Sequence, residues 1–531
     1  MRLLACLVLL AGALWASPTA TLTGRVTDPT GAAMPGVEAL AINVETGLRM
    51  TTLTNDEGLY NIPQLAPGTY RIVLRKHGFK MILKTGVELR VQDIIALNFE
   101  MQIGSVDQSI TVEEGVPLLQ AETATLGQTI DRNVIAELPT LTRNPYDFVA
   151  LSAGATSARN ASGRGVAVAI NGQRAESANF LLDGGDNTNP TTSNPGQTVS
   201  HEAVREYRVL TNGFTAEYGR NSGFVANLVT KSGTNEFHGS LYDYARNSRL
   251  AANSFENNAR RDPRAVFNRH QAGASLGGPI VKDKAFFFGS FESILIRSSD
   301  TRTFRVPTPQ LLAISSPATR EIFRKYPLPP DLSPTELVTR PVRPFGGGSP
   351  VTLPVLATTS RIGPVDAGAG PPQDTYLGTA RVDYTLGSRT MFMGRYSMQD
   401  VDQFAAVSQP YTPELDQPLF WRNQNAALSL TRVWSTGVVS ESRLVYARLL
   451  NTRPAAGPGG WFGSLTIMSG GGVLPGADSG SAAVQNLYQA NHATSWARNK
   501  HFVKFGGSVV HYRDASLVPR STRAAFANFQ G

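Results

Sequence analysis

Thr379-Ala380-Arg381-Val382-Asp383-Tyr384-Thr385-Leu386, followed by the turn Gly387-Ser388-Arg389, decides how this chain is read. Ala380, Val382, Tyr384 and Leu386 fall on one side of an extended strand, and Arg381 and Asp383 on the other, because successive strand side chains point to opposite faces. The same period recurs at 501–512, where Val503, Phe505, Gly507 and Val509 oppose Lys504 and Ser508, and at 421–434, where Ala426, Leu428 and Leu430 oppose Asn425, Ser429 and Thr431. Equally short polar turns occur at 281–284, 435–437 and 498–500, whereas 247–268, 297–375, 399–420 and 451–483 are long connections. Short connections at one end of an antiparallel sheet and long ones at the other give it a polarity. With apolar-out, polar-in strands, that polarity predicts an outer-membrane barrel with tight periplasmic turns and extended outer loops. A soluble sandwich would alternate too, but it has no reason to sort its loops. Trp421, Trp434 and Trp496 fall near strand ends, where interfacial aromatic girdles sit.

Nine strands are expected: 237–246, 270–280, 285–296, 376–386, 390–398, 421–434, 438–450, 484–497 and 501–512. The first alternates poorly, and Asp243 is awkward on either face. An open nine-stranded sheet would leave unpaired backbone groups in lipid, at several kcal/mol each. The expectation is therefore the N-terminal part of a longer protein, or a truncated gene product.

Bulk composition narrows the class. Of 531 residues, 41% are hydrophobic, so the chain can bury cores. The 50 glycines and 33 prolines suit turn-rich β structure. A net charge of +8 comes from scattered Lys and Arg with no dense basic block, which argues against nucleic-acid binding. Residues 1–20 read as a signal peptide: Arg2, an apolar run over 3–15, then Ala16-Ser17-Pro18-Thr19-Ala20, with Pro18 blurring the cleavage point. The run is too short to span a bilayer, and no later stretch qualifies. Cys6, the single cysteine, would leave with the signal, so no disulfide or thiol chemistry is expected.

Residues 21–104 read as a small β-sandwich, with turn signals at Asp28-Pro29-Thr30-Gly31, Asn55-Asp56-Glu57-Gly58 and Ala66-Pro67-Gly68. Tyr70, Ile72 and Leu74 should share a buried face. Residues 105–234 read as a mixed α/β domain. Asp131 caps a short helix that stops before Pro139, strands are expected at 126–130, 166–171, 180–183, 206–211 and 224–230, and the loops are rich in Asn, Gly and Ser.

Asp56-Glu57-Gly58-Leu59-Tyr60 with Leu65-Ala66-Pro67-Gly68-Thr69-Tyr70 resembles the carboxypeptidase regulatory-like domain. It is expected to be a spacer; sugar binding is the alternative, by analogy with related folds alone. Leu181-Leu182-Asp183-Gly184, Glu217-Tyr218-Gly219-Arg220, Lys231-Ser232-Gly233-Thr234-Asn235 and Phe237-His238-Gly239 follow in order. That order resembles the plug and first barrel strand of TonB-dependent outer-membrane transporters. The added first domain and Gly277-Gly278-Pro279 through Phe286-Phe287-Phe288-Gly289 look like the Oar-like branch. The resemblance implies a mainly β fold made of a β-sandwich, an α/β plug and the first part of a large antiparallel transmembrane β-barrel (235–531). It implies plug-signature roles for Asp183, Gly184, Glu217, Tyr218, Gly219, Arg220, Lys231, Ser232 and Gly233. It also implies a TonB box, which pairs edge-on with the inner-membrane partner TonB, at Asp107, Gln108, Ser109, Ile110, Thr111 and Val112. The same residues could instead be the last strand of the first domain or the first strand of the plug.

The implied partners are TonB, outer-membrane lipid and an unidentified extracellular ligand, carbohydrate among the options. No cofactor is implied. No enzyme is expected: the seven histidines show no metal spacing, and there is no nucleophile elbow or phosphate loop. The 79-residue connection 297–375 carries 14 of the 33 prolines and reads as an outer lid or ligand-contact loop with extended Pro-rich pieces. The rivals are an outer-membrane adhesion or structural protein on the same scaffold and an exported sugar-binding protein.

Overall fold

The computed structural model describes residues 19–517 except 92, 105–108, 113–124, 139, 141, 158–167, 216, 220, 368–369, 388, 436, 455–465, 468–471, 474–479 and 499–500. The expected signal peptide, Asp107, Gln108 and Arg220 lie outside these described residues.

The first domain contains β1 (Ala20–Thr27), β2 (Glu38–Asn43), β3 (Arg49–Leu53), β4 (Leu59–Leu65), β5 (Gly68–Arg75), β6 (Met81–Leu89), β7 (Ile94–Ala96) and β8 (Phe99–Glu100). β9 (Ser109–Val112) joins its second sheet. One sheet runs β4-β1-β7 with β8 also on β1, and the other runs β3-β2-β5-β6-β9. Tyr70, Ile72 and Leu74 are fully buried between them, as their alternation predicts. Asp-Pro-Thr-Gly forms the expected turn: Asp28 Oδ1 accepts from Thr30 N at 2.9 Å, an Asx contact that stands in for a backbone turn.

The second unit holds β10 (Leu126–Ile130), α1 (Arg132–Glu137), β11 (Ala155–Ser157), β12 (Val168–Ile170), β13 (Asn179–Leu182), β14 (Gly185–Asp186), β15 (Val204–Asn212) and β16 (Val225–Thr230). Its sheet runs β10-β15-β16-β13-β14. Asp131 caps α1 through Val134 N at 3.1 Å. Tyr146, Phe180, Tyr207 and Phe224 fill the core edge to face, with centroids 5.5–5.8 Å apart.

The remaining strands are β17 (His238–Asn247), β18 (Val266–Val281), β19 (Ala285–Pro307), β20 (Ser333–Val342), β21 (Val351–Pro364), β22 (Gln373–Leu386), β23 (Thr390–Gln403), β24 (Leu419–Ser435), β25 (Val438–Arg453), the short ribbon β26 (Thr466–Ile467) and β27 (Gly472–Val473), β28 (Ser481–Arg498) and β29 (His501–Leu517). Nine of them pair in sequence order as β17-β18-β19-β22-β23-β24-β25-β28-β29. The described ends, β17 and β29, do not pair with each other, so the described strands form an open sheet that does not close into a barrel. The short turns all lie at one end, between β18 and β19, β22 and β23, β24 and β25, and β28 and β29. Val382, Leu428, Leu444 and Val509 point outward and are exposed, whereas Arg395, Asn425, Ser429 and Arg443 point inward and are buried. Arg432 stacks on Trp434 at 4.5 Å near the short-turn end, a cation over an aromatic face.

The 297–375 connection departs from expectation. Instead of an extended lid it folds into an outer extension. β19 continues past the wall to pair with β21, β21 pairs with β20, and two helices, α2 (Pro309–Ala313) and α3 (Pro317–Lys325), lie beside them. Leu311, Val342, Leu353, Val355 and Leu356 make its core. Pro309 and Pro317 begin helices, with Thr308 and Ser316 accepting from Leu311 N and Thr319 N at 3.2 Å each. Proline at the first helical position costs nothing, because that N–H has no helical partner anyway.

Candidate functional site: the plug seat and its periplasmic junction

The second unit lies against the inward face of the strands, and the sequence signature lies at the contact. Leu182-Asp183-Gly184-Gly185 is a two-residue hairpin. Asp183 has φ 49° and Gly184 φ 73°, and Leu182 pairs with Gly185. Positive φ at both central positions is the type I′ geometry that favours Asp-Gly. The turn drives Asp183, 1% exposed, into the strand wall. Arg395 of β23 donates from Nε to Asp183 Oδ2 at 2.9 Å. Arg381 of β22 stands 3.5 Å from Asp183 Oδ1 and donates to the Thr230 carbonyl at 3.0 Å. Thr230 N donates to Asp183 Oδ1 at 2.8 Å. Burial pushes the Asp183 carboxyl up, but Arg395, Arg381 and the Thr230 donors more than offset it and hold it below its ordinary value.

Other signature residues complete the seat. Glu217 pairs with Lys504 of β29 at 2.5 Å. Tyr218 is buried with Leu181, Leu210 and Val225. Lys231 reaches Glu202 at 3.4 Å, and the Ser232 hydroxyl donates to the Gly233 carbonyl at 3.2 Å. A Cβ on Gly233 would come 2.3 Å from Phe287 O and 2.5 Å from Gly278 O, so the chain crosses from plug to wall in direct backbone contact with the first hairpin. Gly219 sits in open space: a Cβ added there would meet no described atom within 4 Å. The wall and plug also share bonds beyond these ion pairs: Asp186 N to Gln489 Oε1 at 2.9 Å, Tyr512 Oη to Asp186 Oδ2 at 2.8 Å, and Asn423 Nδ2 to the Gly196 carbonyl at 2.9 Å.

A second constellation, unforeseen from the sequence, joins the first domain to the plug. Arg208 of β15 donates to Asp93 Oδ1 at 2.6 Å, with both side chains 4% exposed. Arg208 also donates to the Val91 carbonyl, and Val91 N donates to Glu206 Oε1 at 2.7 Å. Arg205 pairs with Glu45 at 3.1 Å. Burial, only partly offset by Arg205 and the Val91 N–H, raises the Glu206 carboxyl to about 7. A raised acid pKa adds stability that is complete below the unfolded value near 4.5 and lost as pH rises through about 7. The junction should therefore tighten on going from pH 8 to pH 4.5, by on the order of 3 kcal/mol. Hydrogen exchange at the Val91 amide reads this, and Glu206→Gln should flatten the profile; an identical profile in that variant removes Glu206 as the cause.

The candidate coupling segment is only partly described. Ser109–Val112 forms β9, a parallel edge strand on β6, with Ser109 opposite Met81 and Val112 opposite Lys84. Its backbone thus lies in the first domain's sheet, one of the placements the sequence left open. Among the described residues, no group of three or more His, Cys, Asp or Glu side chains is arranged to hold a metal ion, and no helix is long and apolar enough to cross a membrane.

Comparisons with known proteins bear on the same parts. The outer membrane beta barrel domain family matches residues 229–531, and the carboxypeptidase regulatory-like domain matches 21–102. A TonB-dependent transporter Oar of Myxococcus xanthus is 28% identical over 313 residues, covering 56% of this chain and 29% of that protein. Among solved structures, the outer membrane transporter YddB of Escherichia coli superposes with a TM-score of 0.50 at 10% identity, over 73% of this chain and 48% of its own. The siderophore receptor PirA of Acinetobacter baumannii gives 0.47 at 15% identity, over 73% and 48%. The chain thus spans under a third of the curated relative and about half of the solved ones.

Proposed function

The chain belongs to the outer membrane beta barrel domain family, and on that premise we propose that it acts in energy-coupled uptake of a solute across the outer membrane of a Gram-negative-type bacterium. The observation that carries this reading is the plug seat: a globular domain fills the inward face and is held there by a buried Asp183–Arg395 pair. A pore-lining stopper held by polar contacts suits a domain that must yield, because polar, hydrated contacts open locally at lower cost than a dry core. The ligand binds at the outer loops and the exposed plug tip. TonB then engages residues 107–112 by strand pairing and, driven by the proton gradient, pulls on the plug. The ligand class stays open, carbohydrate included, and the first domain is read as a structural element rather than a sugar-binding one. Adhesion on the same scaffold is the second reading, favoured by the folded outer extension around Leu353 and Leu356.

The coupling segment separates the two readings, since an adhesin needs none. Deleting Asp107–Val112 should lower affinity for the purified periplasmic domain of TonB at least tenfold. Heat-modifiable migration, the sign of an inserted barrel, should be unchanged. Undiminished binding would remove the assignment of these residues.

A further inference from the structure

A spacer domain would hang free below the barrel, tied by its linker alone. This first domain does not. It contacts three of the short turns at the periplasmic end. Gly47 sits against Asp283 of the β18–β19 turn, where an added Cβ would lie 2.3 Å from Asp283 Oδ1. Asn235 N donates to the Glu45 carbonyl at 2.9 Å, while its side chain bonds Asp283 at 2.7 and 2.8 Å. Met391, just after the β22–β23 turn, and Val433, just before the β24–β25 turn, pack on the first domain's hydrophobic core. On the inner side, the Arg208–Asp93 and Arg205–Glu45 pairs fasten the domain to the plug.

A cavity of about 140 Å³ is lined by Gln64 of the first domain together with Asp183, Arg381 and Thr431. Gln64 has φ 60° and is 3% exposed, and neither polar atom of its amide finds a partner among the described residues.

We propose that the first domain is a removable cover seated across the periplasmic mouth of these strands, latched to the plug through Asp93–Arg208 and Glu45–Arg205, and that it must lift before a solute can leave beneath the plug. β9 is the edge strand of this cover, so a pull on Ser109–Val112 acts on the cover as well as on the plug. The purpose of the cover rests on the transport reading; its seating does not.

Thiol labelling tests the seating without any ligand. In a Cys6→Ser background of the full chain, single cysteines at the buried cavity-lining positions Gln64 and Thr431 probe the cavity, and Leu53→Cys is an exposed control on the same domain. Both cavity cysteines should react with a maleimide at least tenfold more slowly than Leu53→Cys. Weakening the latch with Glu45→Ala, and more strongly with Asp93→Asn, should raise their rates at least fivefold while heat-modifiable migration is unchanged. Glu45 is half-exposed, so Glu45→Ala keeps the test valid should Asp93→Asn fail to fold. Cavity cysteines as reactive as Leu53→Cys in the parent would show that the mouth is uncovered. Slow rates that neither latch variant changes would show that the domain does not lift. Either result overturns the proposal and leaves the transport reading standing.

Discussion

Replacing Asp183 by alanine is expected to unseat the plug, with a loss of about 3–5 kcal/mol of plug–wall stability. The cause is the charge left behind. Arg381 keeps a bidentate partner in Asp383, at 2.8 Å for each bond. Arg395 does not: its side chain is 0% exposed, and its remaining partners, Asn425, Ser397 and the Leu182 carbonyl, are all neutral. A buried guanidinium without a counter-ion is the costly species. Adding Arg395→Met to the Asp183→Ala variant should therefore recover a large part of the loss, since a pair removed together costs less than a pair broken. Hydrogen exchange at the Thr230 amide, which donates to Asp183 Oδ1 at 2.8 Å, is the local readout. The single variant should exchange at least a hundredfold faster; protection within twofold of the parent would refute the seat.

Gly233→Ala is expected to have the second largest effect. The three atoms nearest an added Cβ are Phe287 O at 2.3 Å, Gly278 O at 2.5 Å and Phe287 N at 2.9 Å, all backbone of paired strands. No rotamer change can clear them, so either the plug-to-wall crossing or the β18–β19 hairpin must move. Overpacking of this kind costs about 1–3 kcal/mol, and more where the neighbour is rigid. Gly219→Ala is the matched control, because open space surrounds that position among the described residues. The urea midpoint of heat-modifiable migration should fall for Gly233→Ala and stay for Gly219→Ala. Equal midpoints would mean that the crossing is slack.

The strands were legible because their information is local. Period-two alternation set the exposed Val382 and Leu428 against the buried Asn425 and Ser429, and polar turns set the hairpin positions. The Asp-Gly hairpin of 183–184 was read only as a strand end, although Asp-Gly is itself a type I′ pair. The outer extension was misread for an equally local reason. Thr308-Pro309 and Ser316-Pro317 are helix-start signals, a capping hydroxyl followed by proline, but fourteen prolines in one connection look like extended chain. The helices are short, and packing makes them worth forming: Leu311 sits with Leu353 and Leu356, and Phe323 with Leu312 and Tyr411.

From sequence alone came the nine strands that pair in order, their apolar side, the end that carries the tight turns and the motifs of the second unit. Each rests on neighbours within a few residues, where backbone geometry leaves few choices. Tertiary structure alone decided which inward charges meet the plug and where the first domain rests. Arg395 and Asp183 lie 212 residues apart, and Arg208 and Asp93 lie 115 apart. Many inward polar residues look alike in a strand pattern. Only the folded arrangement, by removing water from one pair and leaving it around the others, gives that pair its strength.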